Sequence, residues 1–267
     1  MGLLRRFPNA LRWRLEKLFP PGADDFLRIY PTLRCNLHCS YCSNFRPDGS
    51  APYKFRELSP HDWLEIVRKC GRSVIISGGE PTLFPGIEEL LNGIPRELDV
   101  HVYTNLTFPP DLLIGKVKRN IYFLGSCHRS HIPFEKIREN ADALASVPGF
   151  SGHIHAVETE DNHEDIRRLK ELFADIPWRF SVAKDQRIQS DKVKHQVRRH
   201  VLCRNRIILV GPDGVRYPCM TRMLEGTHQL ENLQEQPLNE EFPQLECDNW
   251  GCCSYCDGQI HSDTVFL

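Results

Sequence analysis

The chain has 267 residues, a formal net charge of -1, and 40% hydrophobic and 26% charged residues. Such a length holds one barrel-sized domain, alone or with a small appendage, and the composition is that of an ordinary soluble protein. The charge balance provides no general attraction for nucleic acid. No apolar run approaches the roughly 18 residues of a membrane span, and no secretory signal begins the chain. We therefore expect a cytoplasmic protein with no nucleic-acid partner and no membrane span.

The first segment, residues 1–22, is basic and has apolar residues at helical spacing. These are Leu4, Phe7, Leu11, Leu15 and Leu18. The pattern predicts an amphipathic helix. The commoner role for such a helix is to pack on the following domain, and the alternative is contact with a membrane surface or a partner.

From Leu27 onward, short apolar runs alternate with helix-like stretches. The predicted strands cover 27–33, 73–77, 99–104, 121–124, 152–157 and 179–183. The helix-like stretches between them include 61–70, 86–92, 133–145 and 163–174. This alternation predicts an α/β fold with a parallel sheet.

The 11 cysteines are unevenly clustered. Nothing indicates export, so the clusters indicate metal rather than disulfides. Cys35, Cys39 and Cys42 follow the first strand with the spacing C-x-x-x-C-x-x-C. Structural zinc would need a fourth nearby ligand, and none is evident because His38 is expected to point away from the three thiols. The favoured interpretation is a four-iron cluster with one iron left open.

The second predicted strand runs into the turn Gly78-Gly79-Glu80-Pro81. Together with the cysteine loop, this turn resembles the radical S-adenosylmethionine (radical SAM) superfamily. The resemblance implies a partial (β/α)6 TIM-like barrel, with its chemistry at the C-terminal strand ends. It also implies a [4Fe-4S] cluster whose open iron binds S-adenosylmethionine. Reductive cleavage of this cofactor yields a 5′-deoxyadenosyl radical that abstracts a hydrogen atom from substrate, with electrons from a donor such as flavodoxin or ferredoxin.

The resemblance also assigns contacts to the cofactor. Tyr41 resembles the family residue beside adenine, although simple loop packing is the alternative. The two glycines would let backbone approach the methionine end, and Glu80 would orient their turn. Polar groups at the end of the third strand would lie near the ribose or the methionine carboxylate. The expected cofactor-binding residues are Tyr41, Gly78, Gly79, Glu80, Pro81, Thr104 and Asn105.

A second group of cysteines follows residue 200. Cys203 and Cys219 have the spacing C-x10-G-x4-C, and a Pro-Asp-Gly turn between apolar runs at 207–210 and 215–217 predicts a β-hairpin. This pattern resembles SPASM and twitch extensions. The resemblance implies a second, auxiliary [4Fe-4S] cluster in the one-cluster twitch arrangement, with ligands Cys203, Cys219, Cys253 and Cys256. Cys247 or Cys252 could replace Cys253, and a zinc ribbon built from the same four cysteines is the alternative.

These assignments divide the chain into the helix at 1–22, a partial barrel at 23–188 and a twitch-like extension of β-hairpin and helix at 189–267. Cys127 follows the fourth strand and is a candidate hydrogen-atom donor, as are Cys247 and Cys252. Lys184 and Asp185 follow the sixth strand, where a substrate anchor or base would be useful. His153 and His155 share one strand face and could form a metal site, but no third ligand is in register with them, so polar lining or surface is the favoured interpretation.

The expected function is oxidation or epimerisation of a polar small molecule, such as an aminocyclitol or a sugar. The first alternative is a ribosomal-peptide maturase that forms a crosslink in a precursor peptide. The start of the barrel at Leu27 leaves no N-terminal peptide-recognition domain and disfavours that alternative. The second alternative is a zinc-binding interaction module.

Overall fold

The structure, a computed structural model, describes residues 26–39, 42, 54–128, 132–184, 199–250 and 262–267. The helix predicted at 1–22 lies outside these residues. So do four predicted site residues, namely Tyr41, Asp185, Cys253 and Cys256, and the alternative ligand Cys252. No helix in the described part of the chain has the length and apolar character needed to cross a membrane.

Six parallel strands form the main part of the larger sheet. They are β1 (Phe26–Thr32), β2 (Ser73–Gly78), β3 (Val100–Thr104), β4 (Ile121–Cys127), β5 (Phe150–Glu158) and β6 (Arg179–Lys184). Each pairs in parallel with the next strand along the chain. The six strands predicted from the sequence are confirmed. β4 continues three residues further than predicted, and β5 gains two residues at its start and one at its end.

The remaining strands are β7 (Arg199–Asn205), β8 (Ile208–Val210), β9 (Arg216–Tyr217), β10 (Leu245–Trp250) and β11 (Ser262–Phe266). Strands β8 and β9 form the predicted antiparallel hairpin. β8 also pairs in parallel with β1, so the hairpin extends the larger sheet to eight strands. A separate antiparallel sheet has the order β10-β7-β11. The boundary at 188/189 between the barrel and the extension stays a prediction. The β8–β9 hairpin, which lies in the predicted extension, pairs with the larger sheet.

The helices are α1 (Pro60–Cys70), α2 (Ile87–Gly93), α3 (Phe134–Ala145), α4 (His163–Leu172) and α5 (Met220–Glu225). The four helices predicted between the strands are confirmed. α1 begins with a capping box, in which Ser59 Oγ accepts a hydrogen bond from Asp62 N and the Asp62 carboxylate accepts one from Ser59 N. It ends at Gly71, which adopts the left-handed conformation with φ 60°.

The sheet separates an apolar outer face from a polar inner face, because successive side chains of a strand point to opposite sides. Leu27, Val74, Val102 and Phe123 belong to the outer face and pack in the core with the helices. The inner face carries Arg28, His101, Tyr103 and Tyr122. Across the strands, Arg28 contacts the Tyr103 ring and His101 contacts the Tyr122 ring. At the β1–β8–β9 end, α5 contributes to a smaller apolar cluster with Tyr30, Leu209 and Tyr217.

Arg216 in β9 fastens the chain that follows α5 to the larger sheet. Its side chain is 2% exposed, and Nη1 donates to Glu231 Oε1 at 2.8 Å and to the Asn239 carbonyl at 2.7 Å. The guanidinium also lies 5.2 Å from the centre of the Phe242 ring. One buried cation therefore holds residues 231–242 against the hairpin.

Replacing Arg216 with methionine should lower the free energy of unfolding by about 3–5 kcal/mol, because the Glu231 carboxylate would stay buried without its cation. Urea denaturation monitored by circular dichroism measures the loss. Arg68→Ala is the matched control, since it breaks the exposed Arg68–Glu65 pair of 2.9 Å, and should cost less than about 1 kcal/mol. Equal losses in both variants would contradict a special role for Arg216.

Candidate active site

The predicted cluster loop and glycine turn meet at the C-terminal ends of β1 and β2. Thr32 at the end of β1 lies beside Gly78 at the end of β2. The chain beyond β1 reaches Cys35 three residues later, and the next strand, β3, ends at Thr104. Because parallel strands end at the same edge of the sheet, three neighbouring strands bring the predicted site residues together.

The glycines of the turn allow two backbone segments to touch. Gly79 N donates to the Thr32 carbonyl at 3.1 Å, and Glu80 N donates to the Arg34 carbonyl at 2.8 Å. A Cβ atom on Gly79 would lie 2.1 Å from the Arg34 oxygen, and one on Gly78 would lie 2.2 Å from the Thr32 oxygen. The glycines were predicted to leave space for the cofactor. In the structure, the backbone that leads into Cys35 occupies the space beside them.

Glu80 ties the turn to the end of β3 from within the protein. The residue is 1% exposed. Oε1 accepts from Thr82 Oγ1 at 2.7 Å and Thr104 Oγ1 at 2.9 Å, and Oε2 accepts from Asn105 N at 2.8 Å. Burial raises the pKa of Glu80, and the hydrogen bonds from Asn105, Thr82 and Thr104 oppose that rise. The carboxylate therefore has donors on both oxygens within the protein.

The three cysteines of the first loop are half-buried and influence one another. Burial, followed by the charges of Cys42 and Cys35, raises the pKa of the Cys39 thiol to about 12. Cys35 Sγ accepts hydrogen bonds from Leu37 N at 3.4 Å and from Asn105 Nδ2 at 3.8 Å. Among the described residues, no three Cys, His, Asp or Glu side chains are gathered closely enough to hold one metal ion.

This donor set fits an iron–sulfur cluster. A cluster binds thiolates, and the proton that Cys39 holds tightly would leave when metal binds. The positive charge of iron would also offset the mutual repulsion of the three sulfurs. The N–H donors to Cys35 are of the kind that surrounds cluster sulfurs in proteins.

Two histidines of β5 line the inner face, each bonded to a hydroxyl on a neighbouring strand. His155 Nε2 lies 3.1 Å from Ser126 Oγ, and His153 Nε2 lies 2.7 Å from Ser181 Oγ. Burial and then the neighbouring His153 lower the pKa of His155. Burial and then His155 lower the pKa of His128 to about 4. These contacts favour polar lining over a metal site for His153 and His155.

The predicted catalytic residues do not all reach this surface. Cys127 is 2% exposed and packs in the outer-face core with the helices, where burial raises its pKa to about 12. The reason is that β4 continues through Cys127, so strand alternation turns Ser126 inward and Cys127 outward. This placement disfavours Cys127 as a hydrogen-atom donor. Lys184 ends β6.

The described cysteines of the second group come from three elements. Cys203 lies on β7, Cys219 directly precedes α5, and Cys247 lies on β10. Asn205 Nδ2 donates to the Pro218 carbonyl at 2.9 Å, which holds the chain next to Cys203 against the chain next to Cys219. The predicted auxiliary ligand set stays a prediction.

Several residues around the site were not predicted from the sequence. One of these is Thr107, which contacts both Asn36 and Asn105. The sequence signal that could have identified it is the close spacing of Thr and Asn residues after β3, because such side chains form hydrogen bonds with nearby backbone. Arg28 and His101 on the inner face were also missed. Their signal is the alternation of polar with apolar residues along β1 and β3.

Replacing Gly79 with alanine should lower the iron bound after anaerobic reconstitution and cost about 1–3 kcal/mol of stability, because the new methyl group would push the chain before Cys35 away from the turn. Iron analysis and urea denaturation measure the two effects. Gly115→Ala is the control, since Gly115 has φ 77° and no atom lies within 4 Å of the place its new methyl group would take. Iron binding should be normal in this control, and an equal loss of iron in both variants would contradict the steric argument.

Replacing Glu80 with glutamine should lower the free energy of unfolding by about 1–3 kcal/mol, because an amide NH2 would face the backbone N–H of Asn105 or the donors around Oε1. Thermal and urea unfolding of the apoprotein measure the effect without any cofactor. Glu164→Gln, at a side chain 78% exposed, should have almost none. An unchanged stability for Glu80→Gln would mean that the carboxylate does not hold the turn to β3.

Comparison with known proteins identifies relatives that resemble part of this chain. The chain is 39% identical over 155 residues to a probable GTP 3′,8-cyclase of Methanocella arvoryzae, which covers 52% of this chain and 49% of that protein. It is 33% identical over 120 residues to PqqA peptide cyclase of Bradyrhizobium diazoefficiens, covering 43% and 30%. The chain thus spans half or less of the length of these curated relatives.

Among solved structures, SuiB of Streptococcus suis bound to S-adenosylmethionine matches 85% of this chain and 65% of its own, with a TM-score of 0.57 and 18% identity. SuiB bound to its precursor peptide SuiA gives a TM-score of 0.59. These likenesses confirm the predicted α/β fold with a partial TIM-like barrel. The model of the Radical SAM superfamily matches residues 29–176, more than half of the chain. The chain belongs to the radical SAM superfamily.

Proposed function

We propose that this radical SAM enzyme oxidises or epimerises a polar small molecule, such as an aminocyclitol or a sugar, by abstracting a hydrogen atom from it. The polar inner face of the barrel is the observation that carries the proposal. When bound, the cluster and S-adenosylmethionine supply the one-electron cleavage that makes hydrogen abstraction possible. The residues of this chain would bind and orient the small molecule and S-adenosylmethionine and shield both from water.

The inner face offers hydrogen-bonding groups suited to a hydroxylated or aminated substrate. The Ser126–His155 and His153–Ser181 pairs place hydroxyl and imidazole groups side by side. The lowered pKa values of His155 and His153 favour neutral rings near pH 7, so these positions add polar groups to the inner face without adding positive charge. Arg28 adds a cation, held 6.0 Å from the centre of the Tyr103 ring. A surface of this kind binds polar ligands better than apolar ones.

The proposal assigns the remaining predicted residues as follows. The first cluster would be held by Cys35, Cys39 and Cys42, and the auxiliary cluster by Cys203, Cys219, Cys253 and Cys256. S-adenosylmethionine would lie along Gly78–Pro81 and Thr104, with Tyr41 near adenine. Lys184 and Asp185 at the end of β6 would anchor the substrate. An electron donor such as flavodoxin or ferredoxin in the cytoplasm would reduce the enzyme.

A peptide substrate is the second candidate, and two observations favour it. One relative is named PqqA peptide cyclase, and the fold resembles SuiB in complex with a precursor peptide. In addition, β11 lies at the edge of the smaller sheet, with Val265 54% exposed. An extended precursor peptide could add to such an edge as a further strand.

Anaerobically reconstituted protein should bind about eight irons, four for each of two clusters. With dithionite and S-adenosylmethionine it should release 5′-deoxyadenosine. The triple variant with Cys35, Cys39 and Cys42 changed to alanine should lose about half of its iron and all of this release. Cys203→Ala with Cys219→Ala is the matched variant, and it should lose the other half and still release 5′-deoxyadenosine. Zinc without iron in the wild type would overturn the proposal.

The substrate class can be tested by deuterium transfer. Deuterated aminocyclitols and sugars should give deuterated 5′-deoxyadenosine. His155→Phe should reduce that transfer about tenfold, because it removes the ring that holds the Ser126 hydroxyl on the inner face. His163→Phe, on an exposed side chain, is the control. Transfer from deuterated short peptides and from none of the small molecules would replace the proposal with the peptide alternative.

A further inference from the structure

We propose that Asn105 is a positioning residue that raises the reduction potential of the first cluster by donating a hydrogen bond to Cys35 Sγ. The donor is Nδ2, which lies 3.8 Å from the sulfur. The inference rests on the cluster that membership of the family implies. It gives Asn105 a different role from the cofactor contact predicted from the sequence.

Three side chains lock the Asn105 amide in a closed ring of hydrogen bonds. Asn105 Nδ2 donates to Asn36 Oδ1 at 2.9 Å, and Asn36 Nδ2 donates to Thr107 Oγ1 at 2.8 Å. Thr107 Oγ1 then donates to Asn105 Oδ1 at 2.6 Å. Each group in the ring donates in the same direction around it, so the three bonds are mutually consistent.

The orientation of the amide follows from a backbone group. Thr107 N donates to Asn105 Oδ1 at 3.0 Å, and a backbone N–H can only donate. The oxygen of Asn105 must therefore face residue 107, which leaves Nδ2 directed at Asn36 and Cys35. A flipped amide would place its NH2 against the Thr107 N–H and leave Cys35 Sγ facing an oxygen.

The ring leaves Asn105 without capacity for a further ligand. The two Nδ2 protons are directed at Asn36 and Cys35, and the two lone pairs of Oδ1 accept from Thr107 N and Oγ1. The residue is 6% exposed, and its backbone N–H is bound by the buried Glu80 carboxylate. Its side chain is thus held rigidly beside one sulfur and has no free group for the ribose or the methionine carboxylate of S-adenosylmethionine.

A rigid donor at this sulfur has a defined electrostatic effect. The added electron of a reduced cluster increases negative charge on its thiolate sulfurs, and an N–H directed at one sulfur stabilises that charge. Leu37 N already donates to the same sulfur. Asn105 adds a second, side-chain donor, and through it the end of β3 influences the metal centre on the loop after β1.

The test is a redox titration, monitored by electron paramagnetic resonance, of the first cluster in protein that also carries Cys203→Ala and Cys219→Ala. Asn105→Leu removes the donor and should shift the midpoint potential downward. Asn105→Asp keeps the shape, replaces the donor with an acceptor and should shift the potential at least as far downward. Thr107→Ser is the control, because residue 107 keeps both the backbone N–H and the hydroxyl that donate to Asn105 Oδ1, and its potential should stay close to that of the parent.

The outcomes separate this inference from the proposed function. Parent potentials in both Asn105 variants, at full cluster occupancy, would overturn the inference and leave the enzyme reaction intact. If Asn105→Leu fails to bind iron, Asn105→Asp alone decides, and an unchanged potential there overturns the inference. A potential lowered equally in Thr107→Ser would also overturn it, because the effect would then come from disruption of the loop. Absence of any cluster in the parent protein would overturn the proposed function as well.

Discussion

The site depends on the close contact between two stretches of backbone, the glycine turn after β2 and the chain that leads from β1 into Cys35. Two N–H···O bonds join them, and a side chain at either glycine would overlap a carbonyl oxygen. This contact fixes where the cysteine loop leaves the sheet. The buried Glu80 carboxylate then extends the arrangement to β3, so that the ends of three strands act as one unit.

The division of the sheet into two faces explains how this fold combines stability with a polar interior. The outer face and the helices form a continuous apolar core, which supplies most of the burial that stabilises the fold. The inner face is therefore free to carry histidine, tyrosine and arginine side chains. Ring contacts hold them in place, such as those of His101 with Phe26 and with Tyr122, each with ring centres 4.9 Å apart.

The six parallel strands, the four helices between them and the β8–β9 hairpin could be predicted from the sequence because apolar runs, caps and turn residues are local signals. The strands β7, β10 and β11 of the smaller sheet were not predicted. The positions of Cys35, Gly79 and Glu80 at one edge also followed from the order of parallel strands. The direction of Cys127 could not be predicted, because it depends on where β4 ends, and a shift of one residue reverses the face. The ring of Asn36, Asn105 and Thr107 depends on a contact between residues about seventy positions apart, which no local pattern encodes.

The pairing of β8 with β1 has a consequence for the order in which the molecule matures. β1 carries the first cluster loop, yet one of its edges is completed by residues 208–210, which leave the ribosome about 180 residues later. During synthesis, β1 can pair with β2 on one side only, and its other edge stays open. The strand that leads into the first cysteine loop therefore gains its second neighbour only after residues 208–210 have been synthesised.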